Sequence, residues 1–169
     1  MVIQSDLLLR GAEWQKAITA YSKIFNQRTR YDVFLLATTI GVLFDQQIEA
    51  LPDDDSANNP PSVPRNVFNN NSEVFDELFQ TAVLITSTLD ISDEKRLELA
   101  FGEGDKDFDK RAFLMSFANF GVTKLVEMIS DDDLELAENL KNFLTLTMEG
   151  SNYDLDPLSF DDLDEEDLL

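Results

Sequence analysis

The sequence predicts an all-α protein, a single compact bundle of about five to six helices followed by an acidic C-terminal tail. Apolar residues recur at the three- and four-residue spacing of amphipathic helices through most of the chain. No segment alternates apolar and polar residues as a half-buried strand does. Of the 169 residues, 43% are hydrophobic, enough to fill one core. We therefore place a helical domain at residues 1–150 and a tail at residues 151–169.

The longest apolar run, Tyr31–Phe44, is predicted to be the central helix. A helix that is apolar on all sides belongs inside a core, so every apolar residue in the run, Leu36 included, is expected to be buried. The run is shorter than the roughly 20 residues that cross a bilayer, and we predict no membrane association. Gly41 within it indicates either a close helix contact or a bend.

One amphipathic helix is predicted before this run and a long loop after it. Residues 13–25 place apolar side chains on one face, and the polar residues 26–30 connect that helix to the central one. Residues 51–71 contain four of the five prolines. Because proline interrupts helices and favours extended geometry before it, we predict a loop there.

The remaining helices are predicted in the second half of the domain. Residues 73–89 form one helix after Ser72 as N-cap, and Ser92 caps a shorter helix that Gly102 and Gly104 end. Residues 107–129 form a long helix with a broad apolar face. Ser130 is predicted to cap the last helix, which Gly150 ends.

The composition removes several classes of chemistry. The chain has no cysteine and no histidine. It therefore has no disulfides, no thiolate or imidazole metal ligands, and no cysteine- or histidine-based catalytic triad. Phosphate-binding glycine motifs are also absent from the sequence. We predict a non-enzymatic protein without cofactor or metal, located in the cytoplasm, with no signal peptide at its N-terminus.

Aspartate clusters are the remaining candidates for metal binding. Residues 105–109 read D-x-D-x-D, as at the start of a calcium loop, but Lys110 and Ser116 stand where that loop needs glycine and a bidentate acid. An acid-rich helix N-terminus is the favoured interpretation. Residues 53–55 and 131–133 could bind Mg²⁺ weakly, although solvated charge runs are favoured there too.

The net charge of −21 points to a partner with a basic surface. It repels nucleic acid and anionic membranes, so direct nucleic-acid binding is not expected. The charge is uneven, because residues 1–30 carry +3 whereas residues 131–169 carry −13. Basic residues near the N-terminus form a solvated helix face, a docking site for the tail or, less favoured, a nucleic-acid patch. These residues are Lys16, Lys23, Arg28 and Arg30.

The tail has the composition of an acidic-hydrophobic recognition segment. Residues 151–169 contain eight acidic side chains and no basic one, with leucine and aromatic residues between them. Apolar anchors add a component to binding that salt does not screen. The predicted partner-binding residues are Phe160, Asp161, Asp162, Leu163, Asp164, Glu165, Glu166, Asp167 and Leu168.

Three segments carry a family resemblance. Residues 30–37 read R-Y-D-V-F-L-L-A and are followed by Gly41; Val67–Phe68 precede a predicted helix; residues 113–121 read F-L-M-S-F-A-N-F-G. In this order they resemble the DNA phosphorothioation-associated protein 4 family, accessory proteins of systems that place sulfur in the DNA backbone. That family has a D-V-F-L-L-A segment and a Y-A-N-x-G segment, in which Phe117 replaces the tyrosine here.

The resemblance covers residues 25–130 and implies a context rather than a reaction. It implies an accessory protein of a bacterial DNA-phosphorothioation-linked anti-phage defence system that binds another component of that system. The family offers no catalytic residues to carry over. The charge leaves an alternative open, an acidic DNA mimic that inhibits a DNA-binding protein or nuclease.

Overall fold

The computed structural model describes residues 3–25, 29–52, 59–102 and 108–150, with side chains to residue 146. The all-α class is confirmed, and these residues form seven helices and one small two-stranded sheet. In chain order the elements are β1 (Leu7–Leu8), α1 (Ala12–Tyr21), α2 (Thr29–Leu43), β2 (Ser62–Val63), α3 (Arg65–Asn70), α4 (Ser72–Ile85), α5 (Asp93–Phe101), α6 (Lys110–Glu127) and α7 (Asp133–Gly150).

Helices α2 and α6 form the centre and pack together more extensively than any other pair of elements described. Gly41 of α2 lies against the backbone of Phe117, and Gly121 of α6 lies against the backbone of Ala37. A Cβ atom at either glycine would come within 2.6 Å of the facing carbonyl carbon. Neither position has room for a side chain, so Gly41 serves a close helix contact and not a bend.

The prediction that α2 is buried on all sides is only partly right. Phe34 and Ile40 are fully buried, but Leu35 and Leu36 are half-buried and Phe44, just beyond the helix, is 38% exposed. The helices that pack on α2 cover only part of its circumference, which leaves one side in contact with water.

A buried asparagine fastens α1 and the chain after α2 to α6. The side-chain oxygen of Asn119 accepts a hydrogen bond from Trp14 Nε1 at 3.1 Å. Its side-chain nitrogen donates to the carbonyl oxygens of Ile48 and Glu49 at 3.1 and 3.3 Å. Trp14 is fully buried, so its bond to Asn119 forms where water cannot replace it.

Helix α1 ends at Tyr21, four residues before the predicted boundary, and a turn continues to Phe25. The Tyr21 side chain is buried and its hydroxyl donates to the carbonyl oxygen of Leu125 at 3.2 Å. Burial raises the pKa of Tyr21 to about 12. The hydroxyl therefore stays protonated and anchors the end of α1 on α6.

The prediction of a loop through residues 51–71 is wrong in its second half. Strand β2 pairs antiparallel with β1, with Leu7 opposite Val63 and Leu8 opposite Ser62. Helix α3 begins directly after Pro64, which is compatible with proline because the first turn of a helix needs no internal donor. Each strand has only two residues, too few to show an alternating pattern.

The boundaries of the later helices differ slightly from the predicted ones. Helix α4 ends at Ile85, with Asn71 as its N-cap instead of Ser72. Ser92 caps α5 as predicted, accepting a hydrogen bond from the backbone N–H of Lys95 at 3.3 Å. Between the two helices, the guanidinium group of Arg96 donates to the carbonyl oxygens of Val83, Thr86 and Leu89.

Candidate interaction surfaces

The predicted partner-binding segment, Phe160–Leu168, lies outside the described residues. The same holds for Arg28, Asp105, Asp107 and residues 53–55. Candidate surfaces are therefore built from the described part of the domain.

Three described aspartates of the predicted metal clusters have structural roles. Asp109 caps α6 by accepting hydrogen bonds from the backbone N–H groups of Arg111 and Ala112, each at 3.0 Å. Asp132, not Ser130, caps α7 in the same way. Asp133 pairs with Lys23. Among the residues that the structure describes, no group of three or more Asp or Glu side chains could hold a metal ion.

A groove of about 610 Å³ lies between α1 and the turn that joins α6 to α7. It brings together two of the predicted basic residues, Lys16 and Lys23, but Asp131 and Asp133 line it as well. Lys23 Nζ lies 2.6 Å from an Asp133 carboxylate oxygen, and this hydrogen bond raises the pKa of Lys23. Two lysines thus face two aspartates, which leaves this groove without excess positive charge. Arg30 lines a separate groove of about 400 Å³.

A groove lined by two arginines was not predicted from the sequence. Arg10 and Arg111 line a groove of about 420 Å³, which we call the Arg10–Arg111 groove. Its other lining residues are Ser5, Asp6, Leu7, Leu8, Ala112 and Met115. An adjoining groove of about 360 Å³ shares Ser5 and Arg111 and adds Lys110. The two arginines are far apart in the sequence, so no local pattern could reveal their convergence.

Helix α5 presents apolar side chains to solvent among acids. Leu97 is 53% exposed and Phe101 is 61% exposed, one helical turn apart. Glu94 and Glu98 are exposed on the same helix. Residues four apart share a helix face, so this α5 face is both apolar and acidic.

Asp45 connects the end of α2 to the end of α4. Its carboxylate accepts hydrogen bonds from the Thr86 hydroxyl and from the hydroxyl and backbone N–H of Ser87. Burial alone would raise the pKa of Asp45, but these bonds, with the nearby charge of Arg96, together lower the pKa below its ordinary value. Asp45 has φ 49°, a left-handed conformation that aspartate tolerates better than most residues. We interpret this cluster as structural.

In the described part of the chain, no helix combines the length and the apolar character needed to cross a membrane.

Comparison of the chain with protein-family models, with curated proteins and with solved structures gives no match. The resemblance drawn from the three sequence segments therefore stays a prediction.

Proposed function

We propose that this protein is a non-enzymatic accessory protein of a bacterial DNA-phosphorothioation-linked defence system and that it binds a protein partner with a basic surface. The observation that carries the interaction role is the α5 face, where Leu97 and Phe101 are exposed beside Glu94 and Glu98. The same chemistry, apolar residues between acids, recurs in the sequence of residues 160–168. The defence context is supported by the sequence resemblance alone.

Both segments suit a basic partner with apolar pockets. Exposed ion pairs contribute only about 0–1 kcal/mol each and weaken with salt. Burial of Leu97 and Phe101 would add roughly 25 cal/mol per Å² of apolar surface, which salt does not remove. The acids would orient a basic partner and the apolar side chains would hold it.

The test is co-purification of a tagged chain from a host that carries a phosphorothioation defence system, in low salt. We expect recovery of a protein of that system. Deletion of residues 151–169 should leave the thermal midpoint almost unchanged and abolish or greatly weaken recovery of the partner. Phe160→Ala with Leu163→Ala keeps every charge and should cause most of the same loss of recovery. Leu97→Ser with Phe101→Ser should weaken recovery through the α5 face.

Leu134→Ser is the matched control, since Leu134 is 71% exposed but lies on α7. This control should retain binding. Recovery of no defence protein by the full chain would contradict the defence context. Undiminished binding by the truncated chain would remove residues 160–168 from the interaction and leave the helical body as the recognition surface.

One observation favours the alternative of a DNA mimic. A mimic must present acids on rigid elements, and helices α4 and α5 carry exposed glutamates at residues 73, 77, 94 and 98. A competition assay with a DNA-binding partner separates the two functions. A mimic displaces DNA at stoichiometric amounts, whereas an accessory protein leaves DNA binding intact or improves it.

A further inference from the structure

The Arg10–Arg111 groove presents two guanidinium groups from different parts of the fold. Arg10 follows β1, and Arg111 lies in the first turn of α6. Both side chains are exposed. Across residues 3–25, 29–52, 59–102 and 108–150, neither forms an ion pair. Arginine at such a position is suited to bidentate binding of carboxylates.

The acids beside these arginines are bonded to backbone N–H groups. Asp6 accepts a hydrogen bond from the backbone N–H of Arg65 at 2.9 Å. Asp109 caps α6 through the N–H groups of Arg111 and Ala112. The groove and its neighbour together carry Arg10, Lys110 and Arg111 against these two acids, a net excess of positive charge. The groove beside Lys23 has no such excess.

The placement of these cations departs from local preference. Lys110 and Arg111 occupy the first turn of α6, where the helix end carries partial positive charge and cations are disfavoured. Departures from local rules concentrate at functional surfaces. In a chain of net charge −21, a groove whose lining carries excess positive charge is suited to an acidic ligand.

We propose that the Arg10–Arg111 groove binds the chain's own segment Phe160–Leu168. The segment has six acids for the guanidinium groups and the apolar residues Phe160 and Leu163 for the apolar lining of the groove. That lining includes Leu8, which is 44% exposed, and Met115. The groove therefore matches the segment in both charge and apolar character.

The direction of α7 brings the segment within reach. Phe143 of α7 stacks on Phe44 at 5.8 Å, and Phe44 contacts Phe120 of α6 at 5.8 Å. The turn that joins α6 to α7 lies at the C-terminal end of α6 and the N-terminal end of α7. Because Phe143 lies beyond that turn and near Phe120, α7 runs back along α6. Seven further residues advance α7 by about 10 Å beyond Phe143, which carries its end toward the N-terminal half of α6. Nine residues, 151–159, span at most about 30 Å, comparable with the width of such a domain.

Self-docking would regulate the proposed partner binding. A tethered ligand has a high effective concentration, so the segment occupies the groove until a more basic partner displaces it. This regulation rests on the proposed function of residues 160–168 in partner binding. The docking itself does not require that function.

The absence of cysteine permits a cross-linking test on the full chain. Ala112→Cys with Leu163→Cys places one thiol in the groove and one in the segment. Ala137→Cys with Leu163→Cys is the control, because Ala137 is also an exposed helical alanine, is separated from Leu163 by fewer residues, and borders a different groove, that of Ile24 and Lys141. We expect the intramolecular disulfide to form about tenfold faster in the first variant, measured by mass spectrometry of quenched samples.

Charge reversal then assigns the effect to the arginines. Arg10→Glu with Arg111→Glu should abolish the faster cross-linking, whereas Lys16→Glu with Lys23→Glu should leave it unchanged. Circular dichroism of each variant checks that the fold is retained. Salt should slow the first pair and leave the control pair unaffected.

Several results would overturn the proposal. Equal rates for the two cysteine pairs would show no preferred docking, and intermolecular disulfides would indicate a second copy of the chain in the groove. Unchanged cross-linking in the arginine variant, with weakened binding of duplex DNA, would make the groove a nucleic-acid contact. If cross-linking is as expected but no partner is recovered, self-docking stands and the proposed function fails.

Discussion

Replacing Gly121 by alanine tests the close contact between α2 and α6. An added Cβ would lie 2.6 Å from the carbonyl carbon of Ala37 and 2.9 Å from its Cα. Carbon atoms pack best at about 3.5–4.0 Å, and the carbonyl oxygen of Ala37 would be closer still, so the two helices must separate by at least about 1 Å. The obstructing atoms belong to the backbone of α2 and cannot rotate away as a side chain could.

The expected cost outweighs the gain in helix propensity. A gap of about 1 Å forfeits up to roughly half of the dispersion energy across the contact, and overpacking typically costs about 1–3 kcal/mol. Alanine in place of glycine returns about 1 kcal/mol of helix propensity. Because α2–α6 is the most extensive contact in the described fold, we expect the upper end of this cost, a net loss of about 2 kcal/mol, and a thermal midpoint lower by about 6 °C.

Thermal unfolding followed by circular dichroism measures this effect. Thr39→Ala is the control, since Thr39 lies on the exposed side of α2 and hydrogen-bonds only the carbonyl of its own helix, at Leu35. It should change the midpoint little. An unchanged or raised midpoint in Gly121→Ala would mean that helix propensity dominates and that the contact is looser than described.

Three further substitutions test other parts of the fold. Asn119→Ala leaves an indole donor and two carbonyls without their partner. Urea unfolding followed by circular dichroism should show a free energy of unfolding lower by about 3 kcal/mol. A decrease under about 1 kcal/mol would mean that water replaces the amide. Asp45→Asn should cost about 1.5 kcal/mol at pH 7. The folded pKa of Asp45 is lowered, so its contribution is complete above the unfolded pKa of about 3.9 and is lost as pH falls through the folded pKa. The difference between the two proteins in urea melts should therefore shrink as pH falls below about 3.9, and a difference that does not shrink would refute the linkage. Phe34→Asp should give unfolded or insoluble protein, because Phe34 is fully buried. Leu36→Asp should stay folded, because the half-buried Leu36 position lets a carboxylate reach water. Equal expression of both variants as soluble, helical protein would contradict this difference in burial.

The helices could be predicted because their signals are local. The apolar run of α2, the stripe of α4 and the Ser92 cap each lie within a few residues, and each appears at about its predicted place. The strands and α3 were missed because β1 pairs with residues more than fifty positions away and because the prolines before α3 suggested a loop. The end of α1 at Tyr21 is fixed by a contact with Leu125, which no local pattern encodes.

The segments that carry the family resemblance have a structural explanation. Ala37 and Gly41 form one side of the α2–α6 contact, and Gly121 lies on the other. Asn119, in the third segment, accepts a hydrogen bond from the Trp14 indole. These residues are therefore positions that the fold itself requires. The small residues at these positions could predict close helix packing. They could not reveal the Arg10–Arg111 groove, which depends on where the chain after β1 lies against α6.

The packing of α1 and α2 on α6 also determines when the chain can fold. All-α proteins usually fold fast because their contacts join neighbouring helices. Here the partner of Trp14 is Asn119, and the main partner of α2 is α6. Helices α1 and α2 can contact each other early, but during synthesis the apolar faces that pack on α6 must stay uncovered until most of the domain has left the ribosome. This long wait makes the nascent chain a natural client for chaperones that shield apolar segments.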